Sequence, residues 1–168
     1  LLGVPTIAEY FKNKGLGTDA VVLSPDVGGV RRARDLAERL GATIAIIDKR
    51  RPEPNVSEIM NVIGDVAGKQ VIIIDDIIDT GGTIASAAKV MTDMGSKEVY
   101  VCCTHPVFSG PAIERMREAP IKEIVITNTI PVPPEKKLPN MVILSMAPLI
   151  GEAIIRIHED LSVSKLFD

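Results

Sequence analysis

Short apolar runs alternate with longer amphipathic stretches along this chain. The runs are rich in Val and Ile and nearly continuous, which is typical of strands buried on both faces, and they span residues 20–23, 43–47, 70–74, 98–103, 123–127 and 141–144. Apolar positions at helical spacing predict helices over 30–40, 57–63, 84–94, 111–117 and 147–158. Strand–helix–strand alternation indicates right-handed βαβ units, so we expect an α/β fold with an open, mostly parallel sheet and helices on both faces.

The length and the composition fit one folded domain. The chain has 168 residues, of which 46% are apolar and 24% are charged, and it shows neither an internal repeat nor an interdomain linker. These proportions are ordinary for a globular protein and exclude a disordered tail. We therefore interpret residues 1–168 as a single domain.

Charge and cysteine usage exclude several classes of function. The net charge of −3 and the aromatic content of 3% argue against nucleic-acid binding. No apolar run is long enough for a membrane span. The two cysteines, Cys102 and Cys103, are adjacent and would point to opposite faces of a strand, so we expect reduced thiols and a cytoplasmic protein. Because the chain begins at Leu1, we also expect it to be part of a longer protein.

The most informative segment follows the apolar run at 70–74. A carboxylate can accept hydrogen bonds from two vicinal sugar hydroxyls, and backbone amides at a helix N-terminus favour a phosphate. Acidic side chains followed by a glycine turn and a helix therefore predict a sugar-phosphate pocket, and the candidate residues are Asp75, Asp76, Asp79, Thr80, Gly81, Gly82 and Thr83. The alternative interpretation is a turn with a capped helix, although the segment matches neither a dinucleotide fingerprint nor a Walker loop.

A second loop follows the run at 20–23 and precedes the helix at 30–40. Gly28 and Gly29 would let backbone amides approach a diphosphate, and Asp26 could hold Mg²⁺ directly or through water. A turn with a helix cap is again the alternative. The arginines that follow, Arg31, Arg32 and Arg34, are interpreted as solvated residues or interface ion pairs, and Arg115 and Arg117 as solvated surface.

A third candidate segment, residues 48–52, carries three consecutive cations after the run at 43–47. Phosphoryl transfer requires positive charge near the phosphoryl oxygens, which Lys49 and Arg51 could supply. We expect this segment to be mobile unless anions order it. A solvated surface run is the alternative.

The glycine-turn segment resembles the phosphoribosyl diphosphate motif of type I phosphoribosyltransferases. Together with residues 24–29, 48–52, 64–68 and 104–110, it resembles the ribose-phosphate diphosphokinase family, specifically the carboxyl-terminal half of that family's subunit. The resemblance covers residues 3–167. It implies a type I phosphoribosyltransferase fold and transfer of diphosphate from ATP to ribose 5-phosphate.

The resemblance also implies roles for individual residues. Lys49 would be catalytic and Arg51 would bind phosphate in a closing loop, while Asp26 would hold Mg²⁺. ATP would be bound mostly by the missing half, so we expect this chain alone to be inactive, and the full-length enzyme to be a homo-oligomer. Two alternatives remain open: a self-standing phosphoribosyltransferase, and a non-catalytic regulatory or assembly homologue.

Overall fold

The computed structural model describes residues 1–50 and 59–167. Seven strands form one sheet in the order β3-β2-β1-β4-β5-β6-β7. Every neighbouring pair is parallel except β2 with β3, which is antiparallel. The strands are β1 Ala20–Ser24, β2 Thr43–Arg50, β3 Ile59–Ile63, β4 Gln70–Ile78, β5 Glu98–Pro106, β6 Glu123–Thr127 and β7 Met141–Leu144, and the helices are α1 Val4–Asn13, α2 Val30–Leu40, α3 Gly82–Asp93, α4 Ala112–Glu118 and α5 Ala147–His158.

Helices cover both faces of this sheet, as the continuous apolar runs predict. Strand residues alternate between two cores: Val21 and Ile73 pack with α3 and α4, whereas Val22 and Ile72 pack with α1 and α2. The predicted fold class, an open and mostly parallel α/β sheet, is therefore confirmed.

The predicted helix over residues 57–63 is wrong. Residues 59–63 form strand β3, which pairs antiparallel with β2 at the edge of the sheet. The apolar residues of this short segment fit a helical spacing and an extended strand equally well. Pairing with the otherwise open edge of β2 decides in favour of the strand, and that edge is a tertiary feature.

Helix α1 was not among the predicted helices, although its signal is present. Val4, Ile7, Ala8 and Phe11 lie at helical spacing and are buried against the core, and a proline stands in the first turn, where its missing N–H costs little. Strands β4 and β5 also continue beyond their predicted ends, to Ile78 and Pro106.

Helix α5 leaves an apolar face in solvent. Ile150, Ile154 and Ile157 lie on one side of the helix and are 47%, 62% and 67% exposed, whereas Ala153 is the buried residue of α5. The helices in the described part of the chain are all too short or too polar to cross a bilayer.

Candidate functional site

The order of the strands places two of the predicted loops side by side, at the carboxyl ends of two central strands. From β1 the chain proceeds to β2 on one side, whereas from β4 it proceeds to β5 on the other, so neighbours β1 and β4 flank a switch point. Ligands of open α/β sheets bind at the carboxyl ends of strands at such a point. The β1–α2 loop carries Asp26, Gly28 and Gly29, and the end of β4 carries Asp75 and Asp76.

The acidic pair is joined by a single arginine from the first turn of α2. Arg32 Nη1 donates to Asp75 Oδ1 at 3.0 Å, and Arg32 Nη2 forms an ion pair with Asp76 Oδ2 at 2.6 Å. Strand alternation predicts that the two aspartates point to opposite faces, yet both carboxylates reach the same guanidinium. The reason is that β4 runs past the end of β1, which leaves room for Arg32 beyond Ser24.

Asp75 is the more enclosed of the two carboxylates, with a side chain that is 20% exposed against 57% for Asp76. Burial raises the pKa of Asp75 to about 6, although the Asp76 backbone amide and the charge of Arg32 act to lower that pKa. Asp75 is therefore a weaker acid than an ordinary aspartate side chain.

The glycine turn joins β4 to the N-terminus of α3. Gly81 has a φ of +73°, a left-handed conformation that favours glycine. Gly81 is also packed closely, because a Cβ there would lie 3.3 Å from the carbonyl oxygen of Ala112. Thr80 and Thr83 are exposed on either side of the turn. The N-terminus of a twelve-residue helix thus follows the acidic pair along the chain with two exposed hydroxyl residues, and a helix N-terminus is suited to a phosphate.

Residues of α4 and of the loop that precedes it form hydrogen bonds with this turn. The Ser109 amide donates to the carbonyl oxygen of Asp79 at 3.0 Å, and the Ser109 hydroxyl donates to the Asp79 carboxylate. Arg115 Nη1 donates to the carbonyl oxygen of Thr80 at 3.0 Å. Asp79 is therefore engaged in fixing the turn, and Arg115 contacts the turn instead of being a purely solvated residue.

The β1–α2 loop is closed by its own side chains. The Gly29 amide donates to Asp26 Oδ1 at 2.8 Å, and the Ser24 hydroxyl donates to the carbonyl oxygen of Asp26 at 2.6 Å. A Cβ on Gly29 would lie 2.8 Å from Ser24 Oγ, so a larger residue there would displace the Ser24 hydroxyl from this loop. Gly28 is exposed and has room for a Cβ, so space alone does not require glycine there.

The expected Mg²⁺ fits this loop through Asp26. Mg²⁺ is commonly held by one or two carboxylates together with water and substrate phosphates. Asp26 is an exposed carboxylate with one oxygen committed to Gly29, so its second oxygen could take such a position. Within residues 1–50 and 59–167, no three acidic, histidine or cysteine side chains are grouped as ligands, so substrate oxygens would have to complete the coordination.

The predicted cationic loop is only partly within the described residues. Lys49 belongs to β2, which continues to Arg50 and pairs with β3, so residues 48–50 form paired strand and not the loop that was expected. The sequence pattern missed this extension because the partner strand was interpreted as helix. Arg51 lies outside the described residues.

A cavity of about 700 Å³ opens beside the acidic pair, between the start of α1, the first turn of α2 and the ends of β4 and β5. Its lining includes Gly28, Arg32, Asp76 and His105. His105 Nδ1 lies 3.0 Å from Thr129 Oγ1, so this ring is held against the segment that follows β6.

Sequence reasoning did not identify Arg32, Ser109 or Arg115 as parts of this region. Arg32 lies 43 residues from Asp75, and Arg115 lies 35 residues from Thr80. The position of Arg32 in the first turn after the glycine loop could have suggested it, because that turn begins at the switch point.

Comparison with known proteins identifies the family. The family model described as phosphoribosyl synthetase-associated domain matches residues 51–168. Among curated relatives, ribose-phosphate pyrophosphokinase of Bacillus caldolyticus is 63% identical over the whole chain, and that of Corynebacterium ammoniagenes is 61% identical over the whole chain. The chain spans 53% of the length of each of these relatives.

Solved structures agree with the fold. Phosphoribosylpyrophosphate synthetase from Mycobacterium smegmatis superposes with a TM-score of 0.85 at 39% identity, over 94% of this chain and 51% of that protein's chain. Purine phosphoribosyltransferase from Pyrococcus horikoshii superposes with a TM-score of 0.51 at 20% identity, over 83% of each chain. The second similarity concerns the fold alone.

Proposed function

The chain belongs to the phosphoribosyl synthetase-associated domain family, and on that premise we propose that it forms the ribose 5-phosphate- and diphosphate-binding half of a ribose-phosphate diphosphokinase. The curated relatives that carry the name ribose-phosphate pyrophosphokinase support this activity. We further propose that the chain corresponds to the carboxyl-terminal half of the subunit, on the resemblance of its motifs.

One observation carries the proposal. Asp75 and Asp76 lie near the end of β4 at the switch point of the sheet, and the same strand leads into the glycine turn at the N-terminus of α3. Carboxylates suit the hydroxyls of a ribose, and the helix N-terminus suits its 5-phosphate. The β1–α2 loop with Asp26 follows the neighbouring strand and is suited to the diphosphate.

In the proposed reaction the anomeric hydroxyl of ribose 5-phosphate attacks the β-phosphorus of ATP. The new bond joins the sugar oxygen to the β-phosphorus, and the bond from that phosphorus to the α,β-bridging oxygen breaks. The products are phosphoribosyl diphosphate, AMP and the proton of the hydroxyl, which is released to solvent. The protein's contribution is to hold the reactants in line and to stabilise charge, and no covalent enzyme intermediate is needed.

The charged residues have distinct proposed roles. Lys49 and Arg51 would stabilise the charge on the phosphoryl oxygens, on the resemblance alone, and Asp26 would hold Mg²⁺. When bound, Mg²⁺ would offset the negative charge of the diphosphate. Asp75 and Asp76 would orient the sugar, so that its hydroxyl faces the diphosphate.

We also propose a cytoplasmic homo-oligomer, and two observations support this. The thiols Cys102 and Cys103 are buried and free, which is compatible with a reducing compartment. The exposed apolar face of α5, made of Ile150, Ile154 and Ile157, is suited to burial against another subunit or against the rest of the subunit. Sedimentation of wild type and of Ile154→Glu tests the oligomer, because the variant is expected to have the smaller mass.

Calorimetric titration with ribose 5-phosphate tests the sugar site. Asp75→Ala is expected to weaken binding by roughly 1–3 kcal/mol, because a charged hydrogen-bond partner is lost. Asp93→Ala, near the far end of α3, serves as a matched control that leaves the acidic pair intact. Equal affinities in wild type and Asp75→Ala would remove Asp75 from the site.

A second assay tests the division of the enzyme into halves. The chain alone, mixed with ATP, Mg²⁺ and ribose 5-phosphate, is expected to release AMP far below ordinary enzyme rates of about 1–10³ per second. The reason is that the ATP contacts are proposed to lie mostly in the other half. AMP release at ordinary rates would show that this chain carries its own nucleotide site.

A further inference from the structure

Arg32 is the charged side chain at the switch point that the proposed reaction does not use. Its guanidinium bridges Asp75 and Asp76, and Nη1 also lies 3.5 Å from the position that a Cβ on Gly29 would occupy. One side chain therefore contacts the acidic pair and stands against the β1–α2 loop. It connects the proposed sugar site with the proposed diphosphate site.

The bridge differs from an ordinary surface ion pair, which contributes little. The Arg32 side chain is only 23% exposed, and its planar fork pairs with two separate carboxylates on adjacent residues. Two neighbouring carboxylates repel each other, and a shared guanidinium offsets that repulsion. Without it, Asp75 and Asp76 would be expected to move apart or to take up a proton.

The bridge also determines which oxygen of Asp75 a ligand can reach. Oδ1 of Asp75 accepts from Arg32 at 3.0 Å and from the Asp76 amide at 2.8 Å. Both of these contacts fall on Oδ1, so Oδ2 is the oxygen that they leave for a ligand hydroxyl. The orientation of the carboxylate is thus set by Arg32 from one side and by the backbone from the other.

We propose that Arg32 is a positioning residue that holds Asp75 and Asp76 in the orientation that accepts the vicinal hydroxyls of ribose, and so selects ribose 5-phosphate over 2-deoxyribose 5-phosphate. This inference rests on the proposed sugar site and assigns the determinant of its specificity. A site built to bond a hydroxyl rejects the analogue that lacks it, because its own polar groups are then left unpaired. Selection of this kind depends on fixed carboxylates, whereas affinity for the phosphate does not.

The test compares the two sugar phosphates by calorimetry on wild type, Arg32→Ala, Arg32→Lys and the control Arg34→Ala. Arg34 lies on the same helix and is exposed. The measured quantity is the ratio of the two dissociation constants. We expect Arg32→Ala to lower the preference for ribose by about tenfold, the scale of one charged hydrogen bond, and Arg34→Ala to leave it unchanged.

Arg32→Lys keeps the positive charge but loses the planar fork, so an intermediate ratio is expected. Thermal unfolding of each variant establishes whether it is folded. If Arg32→Ala does not fold, Arg32→Lys still tests the inference. A merely structural role would weaken binding of both sugars equally and leave the ratio at the wild-type value.

The outcomes separate this inference from the proposed function. If wild type prefers ribose 5-phosphate and both Arg32 variants keep the same ratio, the positioning role is overturned while the sugar site stands. If wild type binds neither sugar phosphate, the proposed function fails and the inference fails with it.

Discussion

Gly81 offers a test of how the fold fixes the glycine turn. A non-glycine residue in the left-handed region costs about 1–2 kcal/mol, and Gly81 has a φ of +73°. A Cβ there would also meet the carbonyl oxygen of Ala112 at 3.3 Å, a backbone contact that cannot rotate away. We expect Gly81→Ala to lower the free energy of unfolding by about 2 kcal/mol, and thus the melting temperature by roughly 4–8 °C.

Two matched variants separate the cost of the left-handed backbone from the cost of the close contact with Ala112. Gly95 has a φ of +81° with open space around its Cβ position, so Gly95→Ala should cost about 1 kcal/mol from backbone strain alone. Gly82 opens α3 without a positive φ, and a Cβ there would lie 3.3 Å from Arg115 Nη1, the end of a flexible side chain, so Gly82→Ala should be nearly neutral. Urea unfolding of the three variants measures the order. If Gly81→Ala costs no more than Gly82→Ala, the conformational reasoning is wrong.

Three further predictions follow from the charges. Asp75 has a pKa of about 6, so ribose 5-phosphate affinity in wild type should rise between pH 5 and 7 more steeply than in Asp75→Asn, measured by calorimetry. Glu98 has a pKa lowered to about 2, chiefly by its hydrogen bond from Lys122. The ionised Glu98 therefore stabilises the fold above pH 4.5, and this stabilisation is lost as the pH falls toward 2. In urea unfolding, the free energy of unfolding of Glu98→Gln should decrease less between pH 4.5 and pH 2 than that of wild type. In a preparation that makes phosphoribosyl diphosphate, Lys49→Ala should lower kcat by about 10²–10³-fold with little change in the KM for ribose 5-phosphate; a near-normal kcat in steady-state assays would make Lys49 a surface residue.

Much of the fold and of the candidate site could be predicted from residues that are neighbours in the sequence. The run of aliphatic residues before Asp75 predicts a central strand, and a glycine turn ahead of an amphipathic stretch predicts the start of α3, because both signals lie within a few adjacent residues. The same locality identified the β1–α2 loop. Burial of both faces then follows from the continuous apolar runs.

Two of the misses involve partners that are distant in sequence. Strand β3 exists because β2 offers an edge, which no pattern within residues 59–63 reveals. Arg32 and Asp75 meet because β1 and β4 are neighbours although α2 and the β2–β3 pair separate them along the chain. Helix α1 is different, since its apolar residues lie at helical spacing within residues 4–11 and its signal is local.

Strand β4 extends beyond the end of its neighbour β1, and this explains why two carboxylates can lie at the end of a buried strand. Inside the sheet, β4 places Ile73 and Ile74 against the two cores, and both are fully buried. Directly after Ile74 the same strand carries carboxylates, and Asp75 still aligns with Cys103 of β5 although pairing with β1 has ended. A carboxylate at that position is partly desolvated, which raises its pKa. A chain selected only for stability would place an apolar residue there, so the aspartates are better explained by binding than by folding. Because β4 continues beyond the end of β1, the guanidinium of Arg32 in α2 can reach both carboxylates at the end of the sheet. The acidic pair and its arginine therefore lie on the ends of a strand and a helix, not on a long loop.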